Sequence, residues 1–283
     1  MFPPVDTKSP AATGAEVGSI YLAMFPSGNR QFVENAFKWA TDCFTGRYSD
    51  YLPIDARYHD FEHTLQGTLC LARLLHGYHH AGEKPELTQR KFELGLLAIL
   101  LHDTGYLKHH DDQEGTGAKY TMTHVVRSVE FAGQLLREKG YSMEDIQTVQ
   151  NMIRCTGVNV DLTRIPFRTD LERKVAYALG TADLLGQMAA DDYIDKLGIL
   201  YTEFEEAAQY SGKGANAGPF TSEEDLKRKT PVFWEKYVIP KINGDFQGLH
   251  RFLGRPEPQE DHLYLEKIRA NLSRLQESLQ AAA

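Results

Sequence analysis

Apolar residues recur along most of this 283-residue chain at spacings of three and four, the pattern of helices with one buried face. The pattern predicts helices over 61–76, 88–104, 124–139, 142–157, 170–185, 191–209 and from Thr221 or Ser222 to Trp234. No segment alternates as a strand does, and no internal repeat is present. The sequence therefore predicts an all-α fold, with residues 1–18 as a loose Pro/Gly/Ala-rich arm and residues 19–283 as a single helical domain.

Three further segments shape this expectation. A C-terminal apolar seam, typical of a short coiled coil, consists of Leu265, Ile268, Leu272, Leu275 and Leu279. At this length the seam favours core packing within one chain and leaves a homodimer open. A flexible loop is expected over 212–218, and a mobile loop over 108–121, next to a run of polar residues that ends a buried helix.

Composition and charge exclude several classes of protein. The hydrophobic content of 42% and the charged content of 25% are those of a soluble globular protein. No apolar run approaches the roughly 20 residues that cross a bilayer, and the first residues lack a basic start followed by an apolar stretch. The three cysteines are too scattered for a disulfide framework, and the net charge of -8 disfavours nucleic acid as a partner. We expect a cytoplasmic protein without a membrane partner.

Histidine is concentrated in one part of the chain. Nine of the eleven histidines lie between His59 and His124. Such a cluster suggests metal or acid–base chemistry. His76, His79 and His80 are interpreted as ordinary histidines on a helix surface.

The run LLAILL at 96–101 leads directly into His102 and Asp103, two residue types that are costly to bury. His63 lies in a helical segment upstream, and Asp183 lies in the apolar segment YALGTADLLGQM. Two imidazoles and two carboxylates suit a hard or borderline divalent cation, which would offset the cost of burial. The alternative is that His102 and Asp103 cap a helix and that Asp183 forms an ion pair.

The order H…HD…D, with HD after an apolar helix, resembles the HD superfamily of metal-dependent phosphohydrolases. The stretch YHDFEHT at 58–64 further resembles the YHNxxHA signature of cyclic-nucleotide phosphodiesterases, which share that all-helical bundle. The resemblance covers a core of about residues 55–205. It implies a helical bundle of the HD-domain, phosphodiesterase-like type and a metal-dependent phosphoric ester hydrolase.

Carried over by residue, the resemblance implies that His63, His102, Asp103 and Asp183 bind the first metal. Asp103 would also bridge to a second metal, and His59 would be the general acid. The cofactor is then one or two divalent ions, with Zn, Fe, Mn, Ni and Mg all compatible with these ligands. The chemistry is consistent, because ester hydrolysis needs an activated water, stabilisation of phosphoryl charge and a proton for the leaving oxygen.

Several positions depart from the family pattern or are uncertain. Asp60 replaces the signature's asparagine, which alters hydrogen bonding around the histidines. His124 is either near the second metal or the phosphate, or is a surface residue at a helix start. Arg154 is either a phosphate ligand or an ordinary exposed arginine, and Lys108 is a weaker phosphate candidate. Gln187, one turn after Asp183, is a candidate to orient water or substrate.

The first functional hypothesis is hydrolysis of a phosphodiester in a small substrate, with a nucleotide, including a 3′,5′-cyclic nucleotide, as the expected class. The purine-binding glutamine of the mammalian-type enzymes has no clean equivalent, because Phe252 follows Gln247 at the wrong spacing. A nucleotide phosphomonoesterase or triphosphohydrolase is the enzymatic alternative. A non-catalytic, nucleotide-binding regulatory HD module is the alternative from another class. Cys155 is interpreted as a small buried residue.

Overall fold

A computed structural model describes residues 4–158, 160–211, 218–254 and 262–281. These residues contain ten α-helices: α1 Pro10–Met24, α2 Arg30–Phe44, α3 Phe61–His80, α4 Gln89–Leu101, α5 His124–Glu138, α6 Met143–Arg154, α7 Asp170–Met188, α8 Tyr193–Tyr210, α9 Glu223–Phe233 and α10 Leu263–Ala281. Within the same residues there is no strand, only an isolated antiparallel bridge between Tyr51 and His109. The predicted all-α fold is confirmed.

Shorter helical turns join these helices. Four of the turns in the described part of the chain are 3₁₀ helices, at Thr104–Tyr106, Gly117–Tyr120, Leu162–Arg164 and Leu249–Leu253. Two π-helical turns, Trp234–Val238 and Lys241–Asp245, follow α9 directly. Such turns are frequent at functional sites because they change the direction of a helix locally.

Polar side chains start the helices where the sequence suggested. Ser142 accepts a hydrogen bond from the Asp145 amide at the start of α6, and Thr88 caps α4 in the same way. Gly140, with φ of +78°, follows α5 two residues after its last turn. The α4 helix ends at Leu101, earlier than predicted, because a 3₁₀ turn begins at Thr104.

The expectation of a loose arm over residues 1–18 is wrong from residue 10 onward. Ser9 caps α1 by accepting from the Ala12 amide, and Pro10 occupies the first turn, where its missing N–H costs nothing. Thr13 and Val17 are fully buried on this helix. The abundance of Pro, Gly and Ala hid a helix that packs against α2 and α3.

Helices α3 and α7 form the most extensive helix pair of the core. Their close approach depends on Gly186, since a Cβ atom there would lie 2.9 Å from the backbone of Gln66 and Gly67. Around this pair, buried side chains from all ten described helices form one connected hydrophobic core. The crossing brings the start of α3 and the second half of α7 together.

The seam on α10 packs within the chain, with Leu265, Ile268, Leu272 and Leu275 buried in the core. Residues 108–121 contain a 3₁₀ turn and are held to α8, where Glu206 accepts hydrogen bonds from Thr116. Of the loop expected at 212–218, residues 212–217 lie outside the described residues. Among the helices described, none has the length and apolar character that a bilayer crossing requires.

Candidate active site

Four buried or nearly buried polar side chains meet at the crossing of α3, α4 and α7. His63 lies in the first turn of α3, and His102 and Asp103 follow the last turn of α4. Asp183 lies on α7, one turn before the close-packed Gly186. The exposed fractions of His63, His102 and Asp103 are 4%, 1% and 2%. The apolar helix α4 therefore delivers its polar end to the interior rather than to solvent.

Each imidazole in this cluster faces both carboxylates. His63 Nε2 lies 3.2 Å from Asp103 Oδ2 and 3.3 Å from Asp183 Oδ1. His102 Nε2 lies at the same two distances from the same two oxygen atoms. Ligands about 2.1 Å from one metal ion lie about 3.0–3.4 Å apart for octahedral to tetrahedral angles. The spacing of these four atoms fits a single divalent ion.

Unsatisfied atoms in the cluster agree with this fit. His102 Nε2 and Asp103 Oδ2 are buried, and although they lie 3.2 Å apart, neither has a partner among the described residues with the geometry of a hydrogen bond. Buried polar atoms are normally paired, and a coordinated cation is one way to satisfy them. His63, His102 and Asp103 also satisfy, as a group, the spacing required of ligands that share one ion.

Backbone carbonyl groups orient two of the histidine rings. His102 Nδ1 donates to the carbonyl oxygen of Ile99 at 2.7 Å, and His124 Nδ1 donates to that of Thr121 at 2.7 Å. A donated Nδ1 hydrogen leaves Nε2 as the nitrogen with a free lone pair in a neutral ring. In both rings Nε2 is the atom that faces the carboxylates.

Without a metal, the cluster is an ion-pair network. Burial opposes the charge on His63, but the Asp103 and Asp183 carboxylates outweigh it and raise the pKa of His63 to about 10. Burial likewise opposes ionisation of the two aspartates, yet the adjacent imidazoles of His102 and His63 hold both of their pKa values well below the usual range. A metal ion would displace the protons from the imidazoles.

Asp103 faces a third histidine with its other oxygen atom. His124 Nε2 lies 3.9 Å from Asp103 Oδ1, while Asp103 Oδ2 faces His63 and His102. His124 is the first residue of α5, and its backbone is pressed against Gly105, where a Cβ atom would lie 2.0 Å from the His124 carbonyl oxygen. Burial lowers the pKa of His124, which favours the neutral ring that a metal ligand requires. This arrangement is compatible with a carboxylate shared between two ions.

His59 stands beside the cluster and is held by a carboxylate. Its Nδ1 lies 2.6 Å from Glu203 Oε2, and Glu203 Oε1 accepts from the Tyr58 amide at 2.7 Å. Burial opposes ionisation of Glu203, but the hydrogen bond from His59 outweighs it and lowers the pKa of Glu203. Because a carboxylate only accepts, His59 Nδ1 carries the hydrogen, and Nε2 remains for a ligand. Tyr106 stacks on the His59 ring with centroids 4.6 Å apart.

The remaining candidates have other roles. Lys108 Nζ donates to the carbonyl oxygen of Gly115 and lies 3.0 Å from Asp55, so it stabilises the 108–121 loop away from the cluster. Arg154 donates to Asn151 on its own helix. Neither Lys108 nor Arg154 lines the cavity that adjoins the cluster.

Gln187 lies on the wall beside the cluster, and its amide forms hydrogen bonds within the protein. Its oxygen accepts from the Tyr58 hydroxyl at 2.8 Å, and its nitrogen donates to the Asp183 carbonyl at 3.1 Å. It thus positions other residues of the site, while its second N–H group and remaining lone pair leave it able to contact water or substrate. Asp60 caps α3 by accepting from the His63 amide at 2.8 Å, which fixes the start of the helix that carries His63.

A cavity of about 540 Å³ extends from the cluster between α7, α8, α9 and the π-helical turns. Its polar end consists of His59, His63, Asp103, His124 and Asp183. The opposite walls are mainly apolar but also carry Lys229, Lys236 and Lys241, and most of their side chains come from α8 and from residues 220–246. Cys155 lies buried at this wall, as expected from the sequence.

Sequence reasoning missed Glu203, Tyr106 and the two tightly packed glycines, Gly105 and Gly186. Glu203 lies in the stretch EFEEAAQ, which reads as the charged face of a helix, although only 5% of the side chain is exposed. The one available signal was the apolar flank of residues 197–204, which indicates that this part of α8 is half-buried.

Comparison with known proteins adds a family but no activity. No curated protein matches the chain. A family model described as Npun_R2479-like matches residues 27–255, a span that contains every residue of the cluster and of the cavity wall. The chain belongs to the Npun_R2479-like family.

Proposed function

We propose that this chain is a metal-dependent phosphohydrolase that cleaves a phosphodiester in a small substrate. The observation that carries the proposal is the buried convergence of His63, His102, Asp103 and Asp183 at one end of a cavity, where each imidazole Nε2 lies 3.2–3.3 Å from both carboxylates. The order of these residues along the chain and their convergence also support a relationship to the HD superfamily.

The residues that would hold one divalent ion are those four, and Asp103 with His124 would contribute to a second. Zn, Fe, Mn, Ni and Mg are all compatible with imidazole and carboxylate ligands. When bound, such ions supply Lewis acidity toward phosphoryl oxygen atoms and an acidified water as nucleophile. His102 and His124 are suited to this role because backbone carbonyl groups already orient their rings.

His59 is the proposed general acid. Hydrolysis adds the hydroxyl group of water to phosphorus and breaks the phosphorus–oxygen bond to the leaving alcohol, which must receive a proton. His59 Nε2 donates that proton, while Glu203 lies 2.6 Å from Nδ1 and orients the ring. The products are an alcohol and a phosphate monoester. An acid of this kind is most valuable for a poor alkoxide leaving group, which favours a diester over an anhydride.

The first experiment measures metal content and substrate class together. The protein is stripped with a chelator, reloaded with Mn²⁺, Mg²⁺ or Zn²⁺ and assayed on bis(p-nitrophenyl) phosphate, p-nitrophenyl phosphate, a nucleoside triphosphate and a 3′,5′-cyclic nucleotide. We expect metal-dependent turnover, with diesters ahead of the monoester. A preference for the monoester or the triphosphate would support the enzymatic alternative. Tight metal binding without turnover of any ester would support a regulatory module.

Two variants assign the roles. We expect Asp183→Asn to lower metal occupancy because it weakens one of four ligands, with the exposed Asp195→Asn on α8 as the matched control. We expect His59→Ala to retain the metal but to lower turnover of the best diester with an alkoxide leaving group by about 100-fold or more. His110→Ala, at an exposed position, is its control. Wild-type turnover in His59→Ala would remove the general-acid assignment.

A further inference from the structure

The cavity next to the cluster is lined mainly by hydrocarbon. Most side chains of its walls are hydrocarbon without a hydrogen-bonding group, among them Leu184, Leu197, Leu200, Phe204, Leu226 and Phe246. Its volume of about 540 Å³ is that of a site for a drug-sized ligand. The part of a substrate that extends away from a phosphate at the cluster therefore enters a mainly apolar space.

Several polar side chains in these walls form hydrogen bonds within the protein. The Tyr58 hydroxyl donates to Gln187, whose amide nitrogen donates to the Asp183 carbonyl, as described above. The Tyr237 hydroxyl donates to the carbonyl of Val158 at 2.9 Å. Thr230 donates to a carbonyl group on its own helix.

The basic side chains do not change this picture. Lys229 Nζ lies 2.8 Å from Asp225, and Lys241 Nζ lies 3.1 Å from Asp245. Within the described chain, the Tyr193 hydroxyl and the exposed Lys236 ammonium group line the walls without a hydrogen bond or ion pair to another residue. A nucleobase has several donors and acceptors on its edges, and most of them would lose water here without gaining a partner.

Three apolar side chains lie at the exposed edge of the cavity, beside the exposed Lys229 and Lys236. Val158, Val232 and Phe233 line it and remain 56%, 53% and 38% exposed. Large exposed apolar side chains that border a cavity mark binding surfaces more often than isolated ones do. A hydrocarbon group longer than the cavity would continue over these three side chains.

We propose that the substrate is a phosphodiester in which one esterified group is an extended hydrocarbon chain, and that this chain occupies the apolar cavity while the phosphate lies at the cluster. This inference rests on the proposed function and names the substrate class of the same site. It replaces the nucleotide expected from the sequence. Hydrolysis adds water across the phosphorus–oxygen bond and gives an alcohol and a phosphate monoester.

The test uses esters with one leaving group and different second groups. Methyl, octyl and thymidine-5′ p-nitrophenyl phosphates all release p-nitrophenol, so the broken bond stays the same. We expect kcat/KM for the octyl ester to exceed that for the methyl ester by at least about 100-fold, since each buried methylene contributes about three- to fourfold. The kcat/KM for the thymidine ester should exceed that for the methyl ester by less than about tenfold. A thymidine ester ahead of the octyl ester would overturn the inference.

Paired variants on α8 connect this preference to the cavity wall. Leu200 lines the cavity, whereas the neighbouring Ile199 neither lines it nor packs against the core. We expect Leu200→Gln to lower the octyl-to-methyl ratio by about tenfold, because its amide would be desolvated by the chain. Ile199→Gln should keep the wild-type ratio. An unchanged ratio in Leu200→Gln would contradict the assignment of this wall.

A binding measurement separates this inference from the proposed function. Octylphosphonate and methylphosphonate are titrated calorimetrically into metal-loaded protein, with no turnover required. If no ester is hydrolysed but octylphosphonate binds at least about 100-fold more tightly, the hydrolase proposal fails and the ligand class stands. If esters are hydrolysed but the two phosphonates bind equally, the hydrolase proposal stands and the hydrocarbon inference fails.

Discussion

Replacing Gly186 with alanine should weaken metal binding while the protein remains folded. The new Cβ atom would lie 2.9 Å from the backbone of Gln66 and Gly67, whereas ordinary contacts begin at 3.4 Å. Because the opposing atoms are backbone, α7 must move away from α3 by about half an ångström. Asp183 lies one turn before Gly186 on the same face of α7, so its carboxylate moves with the helix.

The loss of folding stability and the loss of metal affinity have separate causes. Overpacking costs about 1–3 kcal/mol, and the higher helix propensity of alanine returns about 1 kcal/mol, so the free energy of unfolding should fall by about 0–2 kcal/mol. Metal sites tolerate ligand displacements of only about 0.2 Å. We therefore expect the metal affinity of Gly186→Ala to fall by about 10-fold or more.

The assay is chelator competition for the metal, with urea unfolding of the metal-free protein in parallel. Gly18→Ala on α1 is the control, because the nearest atom to its Cβ is Val33 Cγ1 at 4.0 Å. This control should gain up to about 1 kcal/mol and keep its metal affinity. Wild-type metal affinity in a folded Gly186→Ala protein would refute the connection between the helix crossing and the site.

Three further changes test other parts of the structure. Gly105→Ala places a Cβ atom 2.0 Å from the His124 carbonyl oxygen and should lower the free energy of unfolding by about 1–3 kcal/mol, whereas Gly244→Ala, with no atom within 4 Å, should have little effect in the same urea titration. Glu203→Gln should be less stable than the wild type by about 1–3 kcal/mol at neutral pH. The pKa of Glu203 is lowered in the fold, so its stabilisation is present above its unfolded value near 4.3 and is lost as pH falls through the folded value. The gap between the two proteins should therefore narrow on acidification, and a constant gap would contradict the ion pair. Tyr21→Phe removes a 2.7 Å hydrogen bond to a buried glutamate of α4 and should cost about 1–3 kcal/mol in thermal or urea unfolding.

Local periodicity was sufficient for most of the helices but not for α1. The stripes over 61–76 and 124–139 have regular apolar spacing and strong end signals such as Gly140, so their positions follow from the sequence alone. The α1 helix has weakly amphipathic composition, and it is stable because Val17 and Tyr21 pack against other helices. Tertiary packing of this kind has no local signature.

The metal-type cluster was predictable because its chemistry conflicts with its surroundings. His102, Asp103 and Asp183 each interrupt an apolar segment, and a buried charge needs an explanation. Glu203 gave no such conflict, because its neighbours in the chain are also acidic. Glu203 becomes buried only when residues 57–59 pack against α8. His59 and Glu203 are 144 residues apart in sequence. The cavity likewise depends on the path of the π-helical turns, which propensity does not encode.

The α8 helix combines three tasks on successive turns. Leu197 and Leu200 form one wall of the cavity, Glu203 holds the imidazole of His59, and Glu206 fastens the segment that follows the HD pair. A shift or rotation of α8 would change both the width of the cavity and the position of His59, the proposed general acid. Attempts to redirect selectivity by mutating α8 should therefore sacrifice turnover, and the opposite wall around Val232 and Phe233 offers the route by which ligand preference can diverge independently of the chemistry.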